Sequence, residues 1–206
     1  FGPNICIERN PRLIYGRMTG WGQTGPLADR PGHDINYIAL SGALDAIGRP
    51  GGGPVPPLNL VGDYGGGALY LAIGVLAALY ERTVSGHGQV IDAAMVEGAA
   101  SLMSMIYELR DLGLWRGERG TNLLDGGCPF YDTYRTADGG YMAVGALEPR
   151  FFEVFVERLG IDRTGKPDQY DEGGWQEMRR EIAAAFATRT RDEWSSVFAG
   201  ADACVT

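Results

Sequence analysis

Hydrophobic and polar positions change period along the chain, and each change marks an element. Arg12 to Met18, in "PRLIYGRMTGWG", reads as a strand that ends in the glycine-punctuated loop "QTGPLADRPG". Tyr37, Leu40, Leu44 and Ile47 then recur at helical spacing, with Asp34 favourable in the first turn and Gly48 as a stop. The connector "RPGGGPVPPLNL" holds too much glycine and proline for regular structure. Ala68 to Glu81 is apolar on every side, which predicts a helix buried among neighbours and closed by "SGHG". "QVIDAA" predicts a short strand, and "MVEGAASLMSMIYELRDLGL" a second long helix, also largely buried. Glycine and alanine on both helices would let backbones approach closely.

After "RGTNLLDGG" the pattern becomes that of a hairpin, Tyr131 to Thr136 and Tyr141 to Ala146 around the turn "ADGG". Pro149 can open the next helix and Gly160 can end it, with Phe152, Phe155, Val156 and Leu159 on one face. Trp175, Met178, Ile182 and Phe186 mark another helix. Thr190 and Glu193 form a capping box before Trp194, Val197 and Phe198. These stripes read as core. The expected organisation is α/β, with a mainly helical part over residues 1–124 and a small α+β domain over 125–206.

Composition narrows the function classes. The chain has 206 residues, 45% of them hydrophobic and 21% charged, which suits a globular protein with a packed core. A net charge of -8 argues against nucleic-acid partners, since such binding draws on clustered lysine and arginine. Cys6, Cys128 and Cys204 match neither a disulfide framework nor a zinc spacing and read as reduced thiols of a cytoplasmic protein. The apolar run Ala68 to Tyr80 is shorter than the roughly 20 residues that span a bilayer, so a soluble chain without a membrane partner is expected. Phe1 at one end and "GADACVT" at the other read as the ends of a piece of a larger protein.

Candidate chemistry is sparse. His33, in "RPGHDINYIAL", sits in the first turn of a predicted helix, where an imidazole can project into a cleft. The other histidine, His87, falls in a turn and faces solvent. Asp63, in "NLVGDYGGGALYLAIG", can be read as a helix N-cap. Three glycines behind it point instead to a backbone approached by a ligand, with helix N-terminal amides as donors to a developing oxyanion. Glu148, in "VGALEPRFF", precedes a helix that begins with Pro149, a common place for an exposed glutamate. Asp92 and Glu97 read as ordinary charges. No P-loop, GxSxG or HExxH pattern occurs, and nothing suggests a metal.

His33 in "GHDINYIALSGAL", Asp63 in "NLVGDYGGG", "GQVIDAAMVEG", Glu148 in "VGALEP" and "RMTGWGQTGP" together resemble the 2-methylacyl-CoA racemases of the family III CoA-transferase superfamily. The likeness runs from about Asn10 to Leu159 and more weakly to Thr206. It implies racemisation at carbon 2 of 2-methyl-branched acyl-CoA thioesters, with His33 and Asp63 as the acid/base pair and Glu148 supporting the histidine. Gly32, Tyr37, Asn59, Gly65 and Gly66 are the expected substrate contacts around them. No cofactor is implied, coenzyme A being part of the substrate. The family fold adds a Rossmann-like N-terminal segment that this sequence lacks, and an interlocked homodimer in which Glu148 comes from the partner chain. Transferases of the superfamily use the aspartate at the Asp63 position as a nucleophile and generally lack the histidine, so His33 favours racemisation. CoA transfer through an acyl anhydride on Asp63 and an inactive dimerisation piece are the other readings.

Overall fold

The computed structural model describes residues 2–206; Phe1, on which part of the reading of a cut chain rests, lies outside them. The chain divides into two compact units, Phe1–Gly48 with Gly53–Leu114, and Arg49–Gly52 with Trp115–Thr206. Residues 115–124, placed with the first part from the sequence, cluster with the second. The reason is local. Asp125 accepts the backbone N–H groups of Gly120 and Asn122, each at 2.7 Å, and buried Asn122 accepts the Arg116 N–H, so the loop folds around the aspartate that follows it.

The first unit begins with α1 (Pro3–Arg9) and β1 (Tyr15–Thr19). The helix expected from Asp34 onward is two, α2 (Asp34–Leu40) and α3 (Ala43–Ala46), because Gly42 adopts φ 79° between them. A π-helical segment, Leu60–Ala68, then runs without a break into α4 (Leu69–Ser85), which Gly86 ends at φ 80°. From there β2 (Val90–Ala94) pairs in parallel with β1, Tyr15 opposite Val90 and Thr19 opposite Ala94. The intervening helices supply the crossover that a parallel pair requires. The second long helix is also divided, into α5 (Met95–Leu102) and α6 (Ser104–Asp111), with Met103 at ψ 0° as the joint.

Glycine sets how closely these elements pack. A Cβ at Gly16 on β1 would lie 2.9 Å from Leu71 Cδ1, and one at Gly74 would lie 2.8 Å from Ile91 Cγ2, so α4 lies tightly over the strand pair. Ile38, Ala43 and Ala99 form a small core under α2, α3 and α5. The outer face of α4 departs from expectation. Leu69, Ile73, Leu76, Tyr80 and Val84 are 62% to 81% exposed, so the apolar helix is covered on its sheet side only. Leu102, Met105 and Tyr107 on α5 and α6 are exposed as well, against the expectation of burial. Because the π-helical segment extends α4, Leu60–Ser85 forms one 26-residue helix that is long and apolar enough, by length and composition, to cross a membrane. The sequence run Ala68 to Tyr80 understated it.

The second unit is built on the antiparallel pair β3 (Tyr131–Arg135) and β4 (Tyr141–Gly145), with Arg135 opposite Tyr141 at the turn. Over it lie α7 (Pro149–Leu159), α8 (Trp175–Phe186) and α9 (Arg191–Phe198). Their stripes meet in an aromatic core: Tyr134 stacks on Phe186 at 5.5 Å, and Trp194 meets Phe186 edge-on while donating its indole N–H to the Phe186 carbonyl at 2.9 Å. Cys128 is fully buried there, and burial pushes its thiol up to about 12. Both halves of the capping box form, with the Thr190 hydroxyl accepting the Glu193 N–H and Glu193 Oε2 accepting the Thr190 N–H. Thr190→Ala is therefore expected to destabilise the protein by about 1 kcal/mol in urea unfolding, with an unchanged denaturant slope.

Candidate active site

His33 is the N-cap of α2, with its backbone extended at φ -132° and ψ 174°. Its N–H donates to the Asn36 side-chain carbonyl at 3.0 Å, and the Asn36 N–H returns a bond to the His33 carbonyl at 2.8 Å. The loop before it is fixed by aromatic rings. Tyr37 donates its hydroxyl to the Gly32 carbonyl at 2.6 Å and meets Trp21 edge-on at 4.7 Å. A Cβ on Gly32 would lie 2.8 Å from the Tyr37 ring and 2.9 Å from Trp21, so only glycine fits there. This packing leaves His33 exposed while Tyr37 is buried.

Asp63 is not a helix cap. It lies inside the π-helical segment, whose N-cap is Asn59, and it accepts a hydrogen bond from the Asn59 carboxamide at 3.2 Å. Its own N–H and that of Gly62 both donate, at 2.7 Å, to Oδ2 of Asp34, a buried residue that the sequence had marked only as favourable in a first turn. Those two amides are thus engaged with Asp34. The wider π turn is seen in the Leu69 N–H reaching back to the Tyr64 carbonyl. Such turns are frequent at functional sites.

His33 and Asp63 line one cavity of about 420 Å³ in the first unit. Gly32, Tyr37 and Asn59 complete its polar side, and Met18, Tyr64, Ala68 and Met95 its apolar side. The proximity of the carboxylate is felt by Tyr37, whose phenol is raised above its usual range first by burial and then by the Asp63 charge. Tyr37 is therefore a neutral hydroxyl committed to Gly32. The cavity combines an exposed imidazole, a half-buried carboxylate and apolar walls, a set able to exchange a proton with a weakly acidic carbon.

Gly65 and Gly66 do not line this cavity. A Cβ at Gly66 would lie 2.5 Å from the Ala99 N, and one at Gly98 would lie 1.9 Å from the Gly66 carbonyl oxygen. The bare backbone that the glycine run provides is used against α5, helix on helix. Glu148 belongs to the second unit, where it is the N-cap of α7 and its carbonyl accepts the N–H groups of Phe151 and Phe152 at 3.0 Å. The residues before it are held by Gln169, whose Nε2 donates to the Ala146 and Leu147 carbonyls at 2.9 Å, and by the Tyr170 hydroxyl on the same Leu147 carbonyl. His87 is exposed in the turn after α4. Among the described residues no group of three or more His, Cys, Asp or Glu side chains is placed to hold a metal ion.

CoA-transferase family III matches residues 1–206, and the chain belongs to that family. It is 51% identical over 205 residues to the alpha-methylacyl-CoA racemase of Mus musculus and 52% identical to that of Homo sapiens, in both cases covering all of this chain and 54% of the relative. The chain thus spans about half the length of these curated relatives. Among solved structures, a hypothetical protein from Mycobacterium tuberculosis superposes with a TM-score of 0.76 at 28% identity, over the whole of this chain and 55% of that one.

Proposed function

We propose that the protein racemises 2-methyl-branched acyl-CoA thioesters at carbon 2 by proton transfer through an enolate, without a cofactor or metal. One base removes the carbon-2 proton from one face, the electron pair passes into the thioester carbonyl to form the enolate, and the other base delivers a proton to the opposite face. What supports this reading is that His33 and Asp63 line one cavity. An imidazole nitrogen can both accept a proton and return one, which suits a residue that alternates between acid and base. The racemases named above, at about half identity, make the same substrate class the first choice. Glu148 is proposed to serve from the partner subunit of a homodimer, where a carboxylate beside an imidazole would favour its protonated form.

The test is deuterium incorporation. Full-length protein in heavy water is expected to place deuterium at carbon 2 of either enantiomer of a 2-methylacyl-CoA. Transfer of CoA to a second carboxylic acid without such exchange would overturn the proposal. It would favour the alternative consistent with the family, in which Asp63 attacks the thioester, the C–S bond breaks to release the CoA thiolate, and the acyl group is held on Asp63 as an anhydride. That intermediate is trapped at Asp63 by hydroxylamine.

A further inference from the structure

We infer that Asp34 is the positioning residue that fixes the spacing between the two bases, an inference that rests on the racemase reading of the cavity. Asp34 is 5% exposed, and a buried carboxylate is costly unless it is satisfied by hydrogen bonds. Its Oδ2 accepts two backbone N–H groups, those of Gly62 and Asp63, both at 2.7 Å. Its second oxygen, Oδ1, is buried with no hydrogen-bond partner among the described residues. Among those residues it also makes no salt bridge, so the carboxylate is kept for these two amides.

The connection this makes is short. Asp34 follows His33 directly in the chain, so one side of the link is a single peptide bond, and the other is a charge-assisted hydrogen bond to the amide of Asp63 itself. Gly62 makes the approach possible, since a Cβ there would lie 2.8 Å from Asp34 Oδ2 and 3.2 Å from Asp34 Cα. On the His33 side, the Asn36 carboxamide and the Tyr37 hydroxyl hold the backbone of the same turn. On the Asp63 side, the Asn59 carboxamide orients the carboxylate. Asp34 is the residue that joins the two halves, and two bases on opposite faces of one carbon tolerate little change in their separation.

The experiment compares Asp34→Ala, Asp34→Asn and Asp34→Glu in the full-length protein. It measures kcat and KM for carbon-2 exchange from each enantiomer, together with amide hydrogen exchange at Gly62 and Asp63. Asp34→Ala is expected to lower kcat from both enantiomers by roughly tenfold to a hundredfold, with KM changed by less than about threefold. The amides of Gly62 and Asp63 should exchange at least about tenfold faster, while those of the second unit stay unchanged. Asp34→Asn keeps an acceptor oxygen for both amides and should restore most of the rate. Asp34→Glu keeps the charge but displaces the oxygens by a methylene, and should lose rate while folding; it carries the test if the alanine variant does not fold. Unchanged kcat and unchanged amide protection in a folded Asp34→Ala or Asp34→Glu protein would overturn the inference. So would a rate loss no larger than the fraction of protein unfolded. If the unaltered protein exchanges no carbon-2 proton, the racemase reading fails alone, and the amide measurement still decides whether Asp34 holds Asp63.

Discussion

His33→Ala in the full-length protein is expected to abolish racemisation while leaving carbon-2 exchange largely intact for one enantiomer. The asymmetry follows from having one base on each face. Without the imidazole, the enantiomer whose carbon-2 proton faces Asp63 can still lose that proton to the carboxylate and take back a solvent deuteron from it. It exchanges with retention. The other enantiomer presents its proton to an empty position, and its exchange should fall by about 10² to 10⁴-fold, the usual contribution of a positioned acid or base. Asp63→Asn should give the mirror result, sparing the enantiomer that His33 serves. The melting temperature of His33→Ala should remain within about 2 °C of the parent, because the side chain is exposed and its N-cap bonds run through the backbone. Equal loss of exchange from both enantiomers would mean that a single group serves both faces, and opposed bases would have to be abandoned. A large loss of melting temperature would instead make His33 a structural residue.

The distribution of what could be read in advance follows the range of the interactions involved. The hairpin, the helix opened by Pro149 and closed by Gly160, and the Thr190–Glu193 capping box are local devices of a few residues, and each forms where the pattern places it. His33 and Asp63 were singled out by motif, with their meeting in one cavity a matter of tertiary structure. Asp34 was visible only as an acidic residue in a first turn, because its partners lie 28 and 29 positions away. Nothing in the spacing distinguishes a solvated aspartate from a buried one that binds two amides. The breaks at Gly42 and Met103 interrupt otherwise good helical periodicity, and the hydrophobic pattern continues across both. For α4 the pattern describes the face that must be covered, whereas the coverage depends on neighbours, and here the strand pair covers one side only. The glycine run points, in the sequence, to a backbone approached by a ligand, whereas at Gly66 the group that approaches is the backbone of α5.

Gly98→Ala should accordingly be among the most damaging single-methyl changes in the protein. The added Cβ would sit 1.9 Å from the Gly66 carbonyl oxygen, 2.6 Å from its carbonyl carbon and 2.7 Å from its Cα, all backbone atoms with no rotamer to relieve the clash. The π-helical segment and α5 would have to separate by more than an ångström. Inserting a methyl into a tight core commonly costs about 1–3 kcal/mol, and a backbone clash on both sides places this site at about 3 kcal/mol or more. For 206 residues that corresponds to a fall in melting temperature of roughly 6 to 12 °C, and to a smaller fall in a longer full-length chain. The neighbouring positions supply a graded control. Gly66→Ala would bring its Cβ 2.5 Å from the Ala99 N and should be nearly as harmful, whereas at Gly65 the nearest atom is the flexible Leu102 Cδ1 at 2.9 Å, so Gly65→Ala should be the mildest of the three. Differential scanning calorimetry of the variants in the full-length protein reads the order directly. A Gly98→Ala protein that melts with the parent would show that the two helices do not meet at this distance. Because Asp63 lies on the segment that Gly98 supports, the same substitution should also lower the exchange rate from both enantiomers, which separates a displaced site from the one-sided loss expected of His33→Ala.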